Sequence, residues 1–140
     1  MNWLLDANVI VTLCQRGRLK DLSKEPHPFW VPEQVDDELT AHPDKYPVQQ
    51  QQYEEAKAQG LLVVIELPYG SAEYTEYARL RKVRVNPARN RGEDACVAVA
   101  LIRTNTLVCT GDNQGIHRAK QELGDHRVRS REDLLVSLGL

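Results

Sequence analysis

Short, continuously apolar runs separated by helix-patterned stretches restrict this chain to few folds. The clearest run is Leu61-Leu62-Val63-Val64-Ile65, apolar at every position and rich in β-branched residues. Unbroken rather than alternating apolarity predicts a strand covered on both faces, as in a parallel sheet. Trp3-Leu4-Leu5, Phe29-Trp30-Val31, Thr106 to Thr110 and a short segment around Val128 read as further strands. Helical segments lie between them. The first is capped by Asn8, carries Val9, Ile10, Thr12 and Leu13, ends at Gly17, and is followed by a short segment around Leu19 and Leu22. The second runs from Glu33 to Ala41, with Pro32 as a first helical residue and His42-Pro43 as its stop. The glutamine run after Pro47 lies beside Glu-Glu-Ala-Lys-Ala and stops at Gly60, which reads as a helix rather than low complexity. Ser71 to Lys82, Gly92 to Thr104 and Gln114 to Leu123 are also helical, and Val83 to Arg91 is a loop holding Asn86-Pro87. Ser130 caps a last helix, with Asp133 three residues on as in a capping box. Strands alternating with helices imply parallel strands and right-handed crossovers. The expectation is an α/β fold, a three-layer α/β/α sandwich. At 140 residues the chain suits a single domain spanning 1–140, with no internal repeat or linker.

Composition removes several function classes. With 18 Lys+Arg against 20 Asp+Glu, the net charge is −2, which excludes a histone-like or ribosomal-type basic protein. Hydrophobic residues at 41% and charged residues at 27% exclude wholesale disorder. Cys14, Cys96 and Cys109 are odd in number and lack CxxC spacing, so a secreted disulfide scaffold is disfavoured and a reducing cytosol fits. Met1 to Asp6 shows no basic n-region, and no apolar run approaches the roughly 20 residues that a bilayer requires. The sequence predicts a soluble cytoplasmic protein with no membrane partner.

In open parallel sheets, ligands bind beyond the carboxyl ends of the strands. Asp6 directly follows the first strand, and Asp112 follows Leu107-Val108-Cys109-Thr110 with Gly111 between. Either acid alone is equally a helix cap. On the helix from Glu33, residues Val35, Leu39 and His42 share a face, and Glu38 lies about 60° from its centre at roughly 100° per residue. A Glu on the flank of an apolar stripe is costly unless a positive group meets it. Gly92-Glu93-Asp94 opens a helix that is otherwise apolar all round, so periodicity does not choose between Glu93 and Asp94. Converging carboxylates repel one another and call for cations. Oxygen ligands with no Cys or His set at metal spacing suit Mg²⁺ or Mn²⁺ rather than Zn²⁺. Such a site lowers the pKa of a bound water and steadies in-line displacement at a phosphodiester.

Asp6-Ala7-Asn8 after a strand, Glu38 within Val31 to Leu39, Asp94-Ala95-Cys96-Val97-Ala98 and Thr110-Gly111-Asp112 together resemble the PIN-domain nucleases. The resemblance spans essentially the whole chain in the right order. It implies a Rossmann-like sheet and a carboxylate cluster that binds Mg²⁺ or Mn²⁺ and cleaves RNA to 5′-phosphate and 3′-hydroxyl products. By position, Asp6, Glu38, Asp94 and Asp112 would be the catalytic metal ligands. Some relatives carry the third acid in a Gly-Glu pair, which makes Glu93 the alternative. Asn8 would support the first Asp, and Thr110 would line the same pocket. Size alone places the chain beside the toxins of bacterial toxin–antitoxin pairs, which would give it an antitoxin protein as partner, and the family implies a homodimer. After Asp112 comes Asn113-Gln114-Gly115, so an acid found there in many members is missing and metal number stays open.

Substrate contacts follow from charge. Arg79, Arg81, Lys82, Arg84, Arg89 and Arg91 form a stretch with no intervening acid that runs into Gly92-Glu93-Asp94. Arg81, Lys82, Arg84, Arg89 and Arg91 are the candidate RNA-binding residues, since phosphate contacts dominate nucleic-acid affinity. Arg16, Arg18 and Lys20 are a weaker patch, and Arg118 and Lys120 follow Asp112. Two other readings compete. Asp6 to Thr12 is similar to the opening of haloacid-dehalogenase-type phosphatases, but that chemistry needs an Asp where Asn8 stands. The non-enzymatic rival is a PIN-like interaction module whose acids hold no metal.

Overall fold

A computed structural model describes residues 1–41 and 47–140. Its strands are β1 (Asn2–Leu5), β2 (Phe29–Pro32), β3 (Leu62–Ile65), β4 (Thr106–Thr110) and β5 (Val128–Ser130). They form one parallel sheet in the order β3-β2-β1-β4-β5. Helices α1 (Ala7–Gln15), α2 (Glu33–Thr40) and α3 (Pro47–Ala58) belong to the first half of the chain. Helices α4 (Ala72–Lys82), α5 (Arg91–Ile102), α6 (Asn113–Leu123) and α7 (Arg131–Ser137) belong to the second. The expected three-layer α/β/α sandwich is therefore present. No helix among the described residues is long and apolar enough to cross a membrane, and all three cysteines are free and buried.

The strand order creates the place where a site can form. From β1 the chain steps outward to β2 and β3, then returns to pair β4 with the other side of β1. In register, Leu4 meets Val108 and Leu5 meets Cys109. Crossovers on the two sides of β1 leave in opposite directions, which opens a crevice beyond the carboxyl ends of β1 and β4. Leu4, Leu5, Val108 and Cys109 are wholly buried, so this centre of the sheet is a rigid floor.

Helix α5 is the central packing element. Every residue from Gly92 to Ala100 is buried, and the helix packs on α4, α2 and α6. Its Gly, Ala and Cys residues let neighbouring backbones approach closely, and beyond Glu93 and Asp94 the enclosed helix carries no polar face.

Several element ends differ from the sequence expectation. Asp6, not Asn8, is the N-cap of α1, because the strand ends at Leu5 and its Oδ1 accepts from the Ala7 amide at 2.7 Å. Pro32 is the extended N-cap of α2, held in β2 by its register with Ile65, rather than a first helical residue. α5 ends at Ile102 rather than Thr104: Arg127 donates to the carbonyls of Ala100 and Arg103, at 2.6 and 3.1 Å, and turns the chain into β4. β3 is an edge strand, and Val63 is 38% exposed despite its unbroken apolar run. The capping box at Ser130 and Asp133 is formed as expected. The expected stop at His42-Pro43 lies outside the described residues.

Candidate active site

Asp6 stands at the crevice between β1 and β4 and is 8% exposed. Its Oδ1 caps α1, and its Oδ2 accepts from the Thr110 hydroxyl at 3.1 Å. Both strand ends therefore fix its orientation. Glu38 reaches the same place from α2. The residue is exposed on one side, but its carboxylate turns inward and accepts from the Gly92 amide at 3.0 Å. That amide is at the first turn of α5, where unpaired backbone N–H groups favour negative charge.

Gly92 is the pivot of this approach. A Cβ at Gly92 would lie 2.7 Å from Val35 Cγ2, 2.9 Å from Glu38 Oε1 and 3.3 Å from Asp6 Oδ1. The two carboxylates thus face one small space that only a residue without a side chain leaves open. Gly92→Ala is expected to lower stability by about 1–3 kcal/mol through overpacking and to displace Glu38. Urea unfolding measures the first effect. A fully wild-type unfolding midpoint would contradict the close approach.

Glu93 enters from the other side. It is 5% exposed, and its Oε2 lies 2.7 Å from where a Cβ of Gly115 would stand, a point also 3.2 Å from the Thr110 hydroxyl. Gly115, on α6, makes room for this carboxylate as Gly92 does for Glu38. The Thr110 hydroxyl, which donates to Asp6, borders the same small space. Burial raises the Asp6 pKa to about 7, and the nearby charges of Glu38 and Glu93 add to that rise. Burial of its carboxylate end also raises Glu38, against the lowering effects of the Gly92 amide and Arg91.

Asp94 is placed elsewhere. It is wholly buried and faces guanidinium groups: Arg84 at 2.7 Å on Oδ1 and 3.1 Å on Oδ2, Arg81 at 2.8 Å, and Arg118 at 3.4 Å. Arg84 also donates to Glu93 Oε1 at 2.7 Å. Arg81 in turn donates to the carbonyls of Pro87 and Arg89, which folds the 83–90 loop against α4. Asp94 is the anchor of that loop.

Asp112 is exposed and caps α6 through the Gln114 amide at 3.1 Å. It stands at the adjoining strand end, and the carboxylates that press on Asp6 are Glu38 and Glu93. Among the hydrogen bonds of the described residues, none joins Asn8 to Asp6. Asn8 Oδ1 accepts from the Gly111 amide at 3.0 Å and ties the corner after β1 to the corner after β4. Among the described residues, no three of His, Cys, Asp and Glu stand as a ready-made metal site. The Gly92 amide holds Glu38, and Arg84 holds Glu93.

The basic stretch divides in two. Arg81 and Arg84 are turned inward as counter-ions, and Arg79 pairs with Glu76 at 2.7 Å and Glu122 at 3.1 Å. Lys82, Arg89 and Arg91 are exposed. Arg89 and Arg91 line an open cleft of about 490 Å³ with Gln34, Glu38 and Tyr77, directly outside the acid pocket. Gly92, Gly115 and Tyr77 were not expected as site elements, and Arg81 and Arg84, expected as RNA-binding residues, are turned to the acids. Only Gly92, opening an apolar helix beside two acids, left a trace in the sequence.

Comparison of the chain with protein-family models, with curated proteins and with solved structures finds no match.

Proposed function

We propose that this chain is a metal-dependent endoribonuclease of the PIN type. The observation that carries the reading is the convergence of Asp6, Glu38 and Glu93 on the crevice between β1 and β4, close enough for Glu38 and Glu93 both to oppose the ionisation of Asp6. Among the described residues, Arg84 on Glu93 and Arg91 near Glu38 leave three gathered carboxylates short of positive charge. An all-oxygen donor set of this kind suits Mg²⁺ or Mn²⁺.

Asp6, Glu38 and Glu93 would hold the cation, with Asp112 at the adjoining rim and Asp94 as the structural member of the Glu93-Asp94 pair. The bound cation would activate water and neutralise charge developing at the phosphodiester. The protein's own groups set the stage. Thr110 and the Ala7 amide fix both oxygens of Asp6. Gly92 holds Glu38 at the mouth. Arg84 holds Glu93 through a hydrogen bond to Oε1. Arg89 and Arg91, in the adjoining cleft, bind substrate phosphates and position the strand. Cleavage would leave 5′-phosphate and 3′-hydroxyl ends.

The test compares Glu93→Gln with Asp94→Asn on labelled single-stranded RNA in Mn²⁺, Mg²⁺ and EDTA. Glu93→Gln is expected to lower cleavage by about 10²-fold or more while folding normally, as does loss of a charge-stabilising group. Asp94→Asn is expected to lower the unfolding midpoint first, with its residual activity per folded molecule near wild type. The opposite pattern would make Asp94 the ligand. Equal metal-dependent cutting by the wild-type protein and both variants would refute the site.

A further inference from the structure

The turn before helix α4 and the helix itself carry a row of tyrosines, Tyr69, Tyr74 and Tyr77, whose rings the catalytic reading does not use. The rings of Tyr69 and Tyr74 lie 5.3 Å apart at 58°, and those of Tyr74 and Tyr77 lie 6.1 Å apart at 52°. Tyr69 is 90% exposed, so it contributes almost nothing to the core. Its backbone is nonetheless fixed. The Ser71 amide donates to the Pro68 carbonyl at 3.0 Å, and Gly70, with φ 88°, supplies the positive φ that the third position of a type II turn requires. Ser71 then caps α4 by accepting from the Tyr74 amide. An exposed aromatic side chain on a rigid turn presents a binding face at little entropic cost.

The row has a direction. Tyr69 and Tyr74 line a surface hollow with Lys82, and Tyr77 lines the cleft that holds Glu38, Arg89 and Arg91. The three cations are exposed beside the row. Aromatic faces interleaved with cations are what unpaired nucleotides need, because each base stacks on a ring while its phosphate meets a cation. The rings are inclined to one another, which suits bases that stack singly on separate rings rather than a continuous base stack.

We propose that Tyr69, Tyr74 and Tyr77 form a base-stacking track that carries single-stranded RNA along α4 to the Glu38 edge of the acid pocket. The track rests on the nuclease reading for the identity of its ligand and adds where the strand runs. A duplex, whose base faces are buried in its own stack, is excluded from it.

The test measures binding of a labelled oligouridine by fluorescence anisotropy in EDTA, where binding is read without cleavage. The proteins are wild type, Tyr69→Ala, Tyr74→Ala, Tyr74→Phe and Arg89→Ala. Each Tyr→Ala variant is expected to bind about tenfold more weakly, with the salt dependence unchanged, and Tyr74→Phe to retain wild-type affinity. Arg89→Ala is expected to flatten the salt dependence, as loss of a phosphate contact does. Tyr69→Ala removes a side chain outside the core, so its melting temperature stays at the wild-type value and a change in binding is read cleanly. Wild-type binding with unaltered Tyr→Ala affinities would overturn the track and leave the nuclease reading standing. A wild-type protein that binds no oligouridine would likewise overturn the track, while the nuclease reading is tested separately by cleavage in Mn²⁺.

Discussion

Asp6→Asn is expected to make the metal-free protein more stable at neutral and alkaline pH while abolishing RNA cleavage. Asn keeps the cap on Ala7 and a polar contact to Thr110, so the local geometry survives. What it removes is a buried negative charge. The folded protein raises the Asp6 pKa from 3.8 to about 7. A raised acid contributes stability that is complete below pH 4 and is lost as pH rises toward 7, because above that value folding must bury the ionised form. The wild-type protein in EDTA is therefore expected to lose stability between pH 4 and 7 through this group, on the order of 4 kcal/mol at most. Asp6→Asn flattens that part of the profile and gains about 3 kcal/mol at pH 8. Added Mn²⁺ raises the wild-type melting temperature and leaves the variant unmoved, since a cation that binds only the folded state stabilises it by mass action. Melting curves from pH 4 to pH 8, in EDTA and in Mn²⁺, measure all of this. A variant less stable than wild type at pH 8 would contradict the account of Asp6.

Arg84→Met carries the largest expected loss of stability. Arg84 is the guanidinium shared by Glu93 and Asp94, with side-chain exposures of 15%, 6% and 0%. Removing one partner of a buried ion pair leaves the others uncompensated, which typically costs about 3–5 kcal/mol. Met retains the apolar stem, so the loss measures charge rather than packing. Arg81 and Arg118 remain on Asp94, which puts the expectation at the low end, about 3 kcal/mol. Arg79→Met is the control: its side chain is 52% exposed, and its pairs with Glu76 and Glu122 are expected to contribute less than about 1 kcal/mol. Mn²⁺ is expected to recover part of the Arg84→Met loss by standing opposite Glu93. Equal unfolding midpoints for the two variants would show that the guanidinium cluster is not a buried network.

The fold was legible because its signals are local. Unbroken apolar runs mark buried parallel strands, and Gly17, Gly60 and Gly124 mark helix ends through their positive φ. Boundaries slipped where a distant side chain decided them, as Arg127 decides the end of α5. β3 was read as covered on both faces because apolarity along a strand does not tell an edge from a centre. The site was legible as a set of acids at strand ends and helix starts. Their division of labour was not. Glu93 and Asp94 are adjacent on a helix buried on every side, and only the arrival of Arg81, Arg84 and Arg118 from other elements separates their roles. Arg81 and Arg84 read as solvent-facing phosphate ligands because a sequence shows their charge but not the acid across from them.

The most direct measurement is cleavage of a labelled single-stranded RNA by the purified wild-type protein in Mn²⁺ and in EDTA, with Asp6→Asn purified identically beside it. The account expects cutting by wild type in Mn²⁺ alone, products with 5′-phosphate ends, and none from the variant. Cutting that survives EDTA, or that Asp6→Asn retains, would contradict it.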